Sequence, residues 1–221
     1  ERGGSNAVTQ GERTAREALA LEIARERLSV LAPLDVARRA AVAYEAMNGA
    51  ASTGTFRVPL LGDTYRVTFP AGEVCSLAGK AAPGITVALL VLHYLACADG
   101  HPPAEQWAAF RELPDGLVYD RALRGRVQAP LVGAFSRDPD LLGRAAAPLG
   151  GVPLAVGDAA YAFDAFPRVR LAVAVYLGDE ELPSTARLLY DAAAGHYLPT
   201  EDLAILGGML VGRLLAEARY R

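Results

Sequence analysis

Histidine and cysteine are the scarce reactive side chains of this chain: three histidines and two cysteines among 221 residues. His93 sits inside an otherwise apolar run, Ile85 to Ala98, and Cys97 follows four residues later. On a helix that spacing puts both on one face. Imidazole and thiol so placed can share one metal or one cofactor. A buried histidine with satisfied ring nitrogens beside a cysteine acting as a small hydrophobe is the more economical account. His196 stands in Gly195-His196-Tyr197-Leu198-Pro199, just ahead of the last helical pattern. With Asp191 close in sequence it could form an acid–base pair, or hold an anion at a helix N-terminus; a loop histidine anchoring the start of that helix explains it as well.

His93-Tyr94-Leu95 and His196-Tyr197-Leu198 are the same tripeptide. Chance suffices for three matching residues. Trp107, the single tryptophan, reads as a core anchor or a pocket wall. A histidine on a nearly all-apolar helix must find a partner, because an unsatisfied buried polar group costs about 1–3 kcal/mol. A loop at a helix N-terminus can supply one. The expectation is therefore one pocket approached by His93 and His196 and lined by Tyr94, Tyr197 and Trp107. The expected ligand-binding residues are His93, Tyr94, Cys97, Trp107, Asp191, His196 and Tyr197. No catalytic residue and no metal ligand is assigned.

Other signatures are missing. The sequence has no G-x-x-x-x-G-K-[ST], no G-x-G-x-x-G after a strand, no H-E-x-x-H, no G-x-S-x-G and no C-x-x-C. Two cysteines cannot build a disulfide framework or a four-cysteine metal site. A formal net charge of −3 argues against non-specific nucleic-acid binding. No apolar run reaches the roughly 18–20 residues of a membrane span. No charged-then-apolar leader stands at the start, so the expected location is the cytoplasm, with both thiols free. With 52% hydrophobic residues, the chain has the material for one sizeable core.

The elements that must position these residues follow from periodicity. Residues 1–13, with Gly3-Gly4-Ser5, read as a flexible lead. Residues 14–50 read as a helical pair. Leu21, Ala24, Leu28 and Leu31 form the first stripe; Val36, Ala40, Ala43 and Met47, after an Asp35 cap, form the second. Ala50 to Gly54 reads as a linker, and residues 51–221 as the α+β core of a single domain. Phe56, Val58, Leu60 and then Tyr65, Val67, Phe69 alternate around Gly62-Asp63, which predicts a β-hairpin. Pro59 assigns its strand to an edge or a bulge, and a short strand is expected near Val74 to Leu77. Ile85 to Ala98 is a buried central helix. A short amphipathic helix should carry Trp107, Phe110 and Leu113. Helices follow at Tyr119 to Phe135, interrupted near Pro130, and at Asp138 to Leu149. A second hairpin is expected around Gly157-Asp158, then strands at Leu171 to Leu177 and Arg187 to Tyr190. Thr200 should cap a C-terminal helix with Leu203, Leu206, Leu210 and Leu214 as its buried stripe. Helices and hairpins in this order mean α+β, with one antiparallel sheet taking strands from residues 55–77 and 152–190.

Several stretches together carry a resemblance: Leu92-His93-Tyr94-Leu95 with Ala98-Asp99-Gly100; Phe110-Arg111-Glu112-Leu113-Pro114 after Trp107; Leu149-Gly150-Gly151 with Gly157-Asp158; Phe166-Pro167-Arg168; and His196 to Leu203. Over residues 15–218 the chain resembles an uncharacterised domain-of-unknown-function family of anaerobic bacteria and archaea. Some of its members are fused to a cysteine-rich iron–sulfur domain of the kind seen in corrinoid proteins; this chain has no such cysteine cluster. The resemblance implies a small-molecule or cofactor-binding protein of anaerobic metabolism. A tetrapyrrole or corrinoid is the boldest ligand, and an iron–sulfur or corrinoid protein the implied partner. Two alternatives stand beside it: an enzyme using the His196–Asp191 pair, and an interaction module docking through its N-terminal helices. Whether the chain is an enzyme, and its oligomeric state, are left open by the sequence.

Overall fold

A computed structural model of the chain describes residues 10–47, 49–79 and 82–220. The predicted flexible lead therefore lies largely outside the described residues, and its last four positions instead open the first helix. That helix, α1 (Gln10–Ser29), buries Ala24 and Leu28 from the expected stripe. Pro33 stands at the first position of α2 (Pro33–Ala40), where its missing N–H costs nothing. This second helix ends earlier than predicted. Ala41 takes a left-handed conformation, φ 52°, and the chain turns into β1 (Ala43–Met47).

The Ala50 to Gly54 stretch is not a linker but the start of β2 (Ala50–Leu60), which pairs antiparallel with β1. Gly54 lets the strands close up: a Cβ there would fall 2.6 Å from the Tyr44 ring. Tyr44 then packs on Phe56 with ring centroids 4.7 Å apart. β3 (Asp63–Phe69) completes the predicted hairpin around Leu61-Gly62, one residue earlier than expected. Both turn residues have positive φ, as such tight loops require. β4 (Val74–Ser76) closes a four-stranded sheet in the order β1-β2-β3-β4. Pro59 lies on a central strand after all. It is tolerated because the β1 ladder stops at Arg57, so only β3 faces it.

The buried central helix is α3 (Ile85–Cys97), with Leu90, Leu92, Tyr94 and Leu95 fully enclosed. The predicted amphipathic helix around Trp107 does not form. Trp107–Ala109 is a short strand, β5, followed by a single 3₁₀ turn, Phe110–Glu112. The cause is tertiary: β5 adds to an open sheet edge, pairing Trp107 with Asp191. α4 (Gly116–Phe135) continues through Pro130 rather than breaking there. α5 (Pro139–Ala146) is capped by Asp138, whose side chain accepts from the Leu141 N–H.

The second β region is a separate five-stranded antiparallel sheet, which corrects the expectation of one shared sheet. Its strands are β5, β6 (Val152–Pro153), β7 (Ala159–Phe166), β8 (Val169–Tyr176) and β9 (Thr185–Asp191), ordered β5-β9-β8-β7-β6. Gly157-Asp158 is not a two-residue hairpin, since β6 and β7 pair only as far as Pro153 with Tyr161. The two sheets meet where the Leu61 N–H donates to the Ala165 carbonyl at 2.9 Å, and one continuous core runs through both. The fold is α+β. The last helix, α6 (Thr200–Arg219), packs with α4 and α5 over the second sheet. Pro199 rather than Thr200 stands at its N-cap; the Thr200 hydroxyl donates to the Pro114 carbonyl at 2.6 Å instead.

Candidate functional site

Two carboxylate–imidazole pairs dominate the polar chemistry. On α3, His93 donates Nδ1 to Oδ2 of Asp202 at 2.6 Å. Just past the end of α3, Asp99 receives Nδ1 of His196, also at 2.6 Å. His93-Tyr94-Leu95-Ala96-Cys97-Ala98-Asp99 and His196-Tyr197-Leu198-Pro199-Thr200-Glu201-Asp202 are thus two copies of H-Y-L-x-x-x-D. The histidine of each copy bonds the aspartate of the other. Only the tripeptides were legible as a repeat; the aspartates become part of it through the crossed bonds.

The tyrosines explain why the copies meet. Tyr94 and Tyr197 are fully buried, with ring centroids 5.7 Å apart. Tyr94 also stacks on Phe166 at 4.3 Å and donates its hydroxyl to the Ala40 carbonyl at 2.6 Å. The same oxygen accepts the Arg168 N–H. Tyr197 donates to the carbonyl of His101. Burial raises both phenols above the ordinary tyrosine range. These two residues, expected in a pocket lining, stand in the core and brace α3 against the 3₁₀ turn Ala194–His196.

The two pairs differ in access. The His93 and Asp202 side chains are 23% and 12% exposed, against 43% and 50% for His196 and Asp99. Cys97 is half-buried. Burial pushes its thiol up, Arg27 on α1 opposes that, and Asp202 adds to it. The inner pair is therefore partly covered, with Cys97 close enough to feel the charges of Asp202 and of Arg27 on α1. The outer pair faces solvent, and His101 stacks on it: the His101 and His196 rings lie 4.0 Å apart and 13° from parallel. Slight desolvation works against ionisation of Asp99. The His101 backbone N–H and the His196 ring outweigh it and hold that carboxyl below the usual range.

A carboxylate can only accept, so His196 donates from Nδ1 and, when neutral, keeps its lone pair at Nε2. Among the described residues no partner occupies Nε2. An imidazole oriented from behind by a carboxylate can ligate a metal-bearing cofactor or relay a proton.

Asp191 does not join this site. Its carboxylate, 1% exposed, accepts the N–H groups of Ala104, Glu105 and Ala193, each at 2.9 Å. It is the post that holds the segment before β5, and the partner expected of it, His196, takes Asp99. Trp107 lies elsewhere too, on β5 with the Arg170 guanidinium over its ring at 5.7 Å. The structure brings His93, Cys97 and Asp202 together, and His196, His101 and Asp99 together. It does not bring His93 and His196 ring to ring.

Asp99, His101 and Asp202 are not among the expected site residues, although Asp99 and Asp202 stand within the stretches that carry the resemblance. The one available signal was the equal spacing, six residues from each histidine to its aspartate. Among the described residues no three His, Cys, Asp or Glu side chains gather as ligands of a metal ion. Cys75 and Cys97 are free thiols, the first exposed on β4. An internal iron–sulfur cluster, which takes about four thiolates, has no donor set here.

No curated protein and no solved structure matches the chain. Residues 32–213 match a family model, a span that takes in both sheets, both His–Asp pairs and most of α6. By that match the chain belongs to the family described as Domain of unknown function (DUF3786).

Proposed function

We propose that the chain is a small-molecule or cofactor-binding protein whose ligand contacts Nε2 of His196. One observation carries this reading: the 2.6 Å bond from Nδ1 to Asp99, which holds a half-exposed imidazole whose Nε2 has no partner among the described residues. Carboxylate-oriented imidazole is a donor that would suit the metal of a metal-bearing macrocycle. A tetrapyrrole or corrinoid is the cofactor class that this reading proposes, with His196 as the residue that would hold it. Asp99 fixes the ring orientation and His101 shields one ring face. The test is spectroscopic titration with haemin and with hydroxocobalamin. A shift is expected for wild type and His93→Ala, and none for His196→Ala. No spectral change in the wild type for either macrocycle overturns the metal-cofactor reading.

A second reading, a non-catalytic interaction module that docks a partner through its N-terminal helices, is supported by Leu19, Ile23 and Val30. They are 61%, 47% and 78% exposed along one side of the N-terminal helix and its end. An iron–sulfur or corrinoid protein is the partner class that the family resemblance offers. Association with a purified corrinoid protein, measured by sedimentation, should weaken in Ile23→Glu. Unchanged association removes this reading.

A further inference from the structure

A cleft separate from the histidines opens between α4 and the β5–β9 edge of the second sheet. Its volume is about 450 Å³, within the span typical of small-ligand sites. Its floor is apolar: Phe110, Leu123, Val127 and Leu188 are all buried. Trp107 forms part of one wall.

The mouth carries an excess of cation. Arg111, Arg124 and Arg187 line it, against only Glu112 and Asp120. Both acids are already engaged. Glu112 accepts the Ala109 N–H at 2.8 Å, and Asp120 holds Arg124 at 2.6 Å. Arg187 lies over the Tyr176 ring at 5.2 Å, and no carboxylate in the described residues pairs with it or with Arg111. Two guanidinium groups with open donor sets thus flank an apolar floor. Guanidinium binds carboxylate and phosphate through paired N–H donors.

We propose that this cleft is a binding site for an organic anion with a flat apolar body, its acid group held by Arg111 and Arg187 and its body resting on Phe110 and Leu188 beside Trp107. The assignment is independent of any ligand at His196. A neutral molecule of the same shape leaves the guanidinium groups unused and binds less well.

The single tryptophan gives one indole N–H signal, which reports on this wall alone. The experiment titrates ¹⁵N-labelled full chain with 2-naphthoate and with neutral 2-naphthamide. The expected result is a saturable shift of the Trp107 indole signal by naphthoate, with the amide binding at least about tenfold more weakly. The Arg111→Gln/Arg187→Gln double variant should lose about the same factor for naphthoate. His196→Ala should bind naphthoate like wild type, which separates this site from the one above. No saturable shift at millimolar naphthoate, or equal affinity for acid and amide in the wild type, overturns the proposal; the second comparison needs no variant to fold.

Discussion

Nδ1 of His93 and Oδ2 of Asp202 meet at 2.6 Å with most of both side chains out of water. The bond ties the middle of α3 to the first turn of α6, at a point where Asp202 also faces the positive end of the α6 dipole. Removing one partner strands the other in a partly dry site. Asp202→Ala should cost about 1–3 kcal/mol, whereas Asp99→Ala, at the exposed copy of the pair, should cost under about 1 kcal/mol. Urea denaturation of both variants checks the ratio, and equal losses would mean that the inner pair is as well solvated as the outer.

Asp191 separates a structural carboxylate from a functional one. Its replacement by alanine leaves three N–H groups, the buried one of Ala193 and the partly covered ones of Ala104 and Glu105, without their charged acceptor. The expected cost is about 1.5–3 kcal/mol, with faster amide exchange at Ala104 and Glu105. The His196 spectral response should survive at temperatures where the variant stays folded. Its loss in a folded Asp191→Ala protein would return Asp191 to the site.

Asp99 gives a pH signature. Its carboxyl titrates below the ordinary value when folded, so its contribution is complete above the unfolded value of about 3.9 and fades as pH falls through the folded one. The stability difference between wild type and Asp99→Asn should therefore shrink as pH falls below about 4. Denaturation curves from about pH 5 downward measure it, and a difference that grows over that range contradicts the assignment.

The two thiols should react at different rates. Cys75 is exposed, while burial raises the Cys97 thiol and leaves less thiolate at neutral pH. Iodoacetamide at pH 8 should label Cys75 first, as read by peptide mass. Equal labelling would show that α1 opens readily over α3.

The glycines of α6 divide by what lies beside them. A Cβ on Gly207 would strike the Tyr190 hydroxyl and Leu188, whereas one on Gly208 meets nothing within 4 Å. Gly207→Ala should destabilise by about 1–3 kcal/mol. Gly208→Ala should stabilise by about 0.5–1 kcal/mol through helix propensity. Thermal unfolding of the pair tests the packing of α6 on β9.

The sequence by itself determined the elements whose apolar period is long and unbroken. α1, α3, α6, β3 and β8 were legible because each buries a face set by local spacing. So was the Gly62 hairpin, since positive φ favours glycine. Tertiary structure decided the rest. Trp107 lies in a strand because the β9 edge was open to pairing, and no local pattern announces a distant edge. Residues 43–47 read as helix by period, yet Tyr44 reaches Phe56 and β1 pairs with β2. The candidate site followed the same division. His93 and His196 stood out by rarity and surroundings. Their partners did not: Asp202 is 109 residues from His93, and Asp99 is 97 from His196. A hydrogen bond is fixed by where two chain segments are packed together, and here the stacked rings of Tyr94 and Tyr197 bring those segments into register.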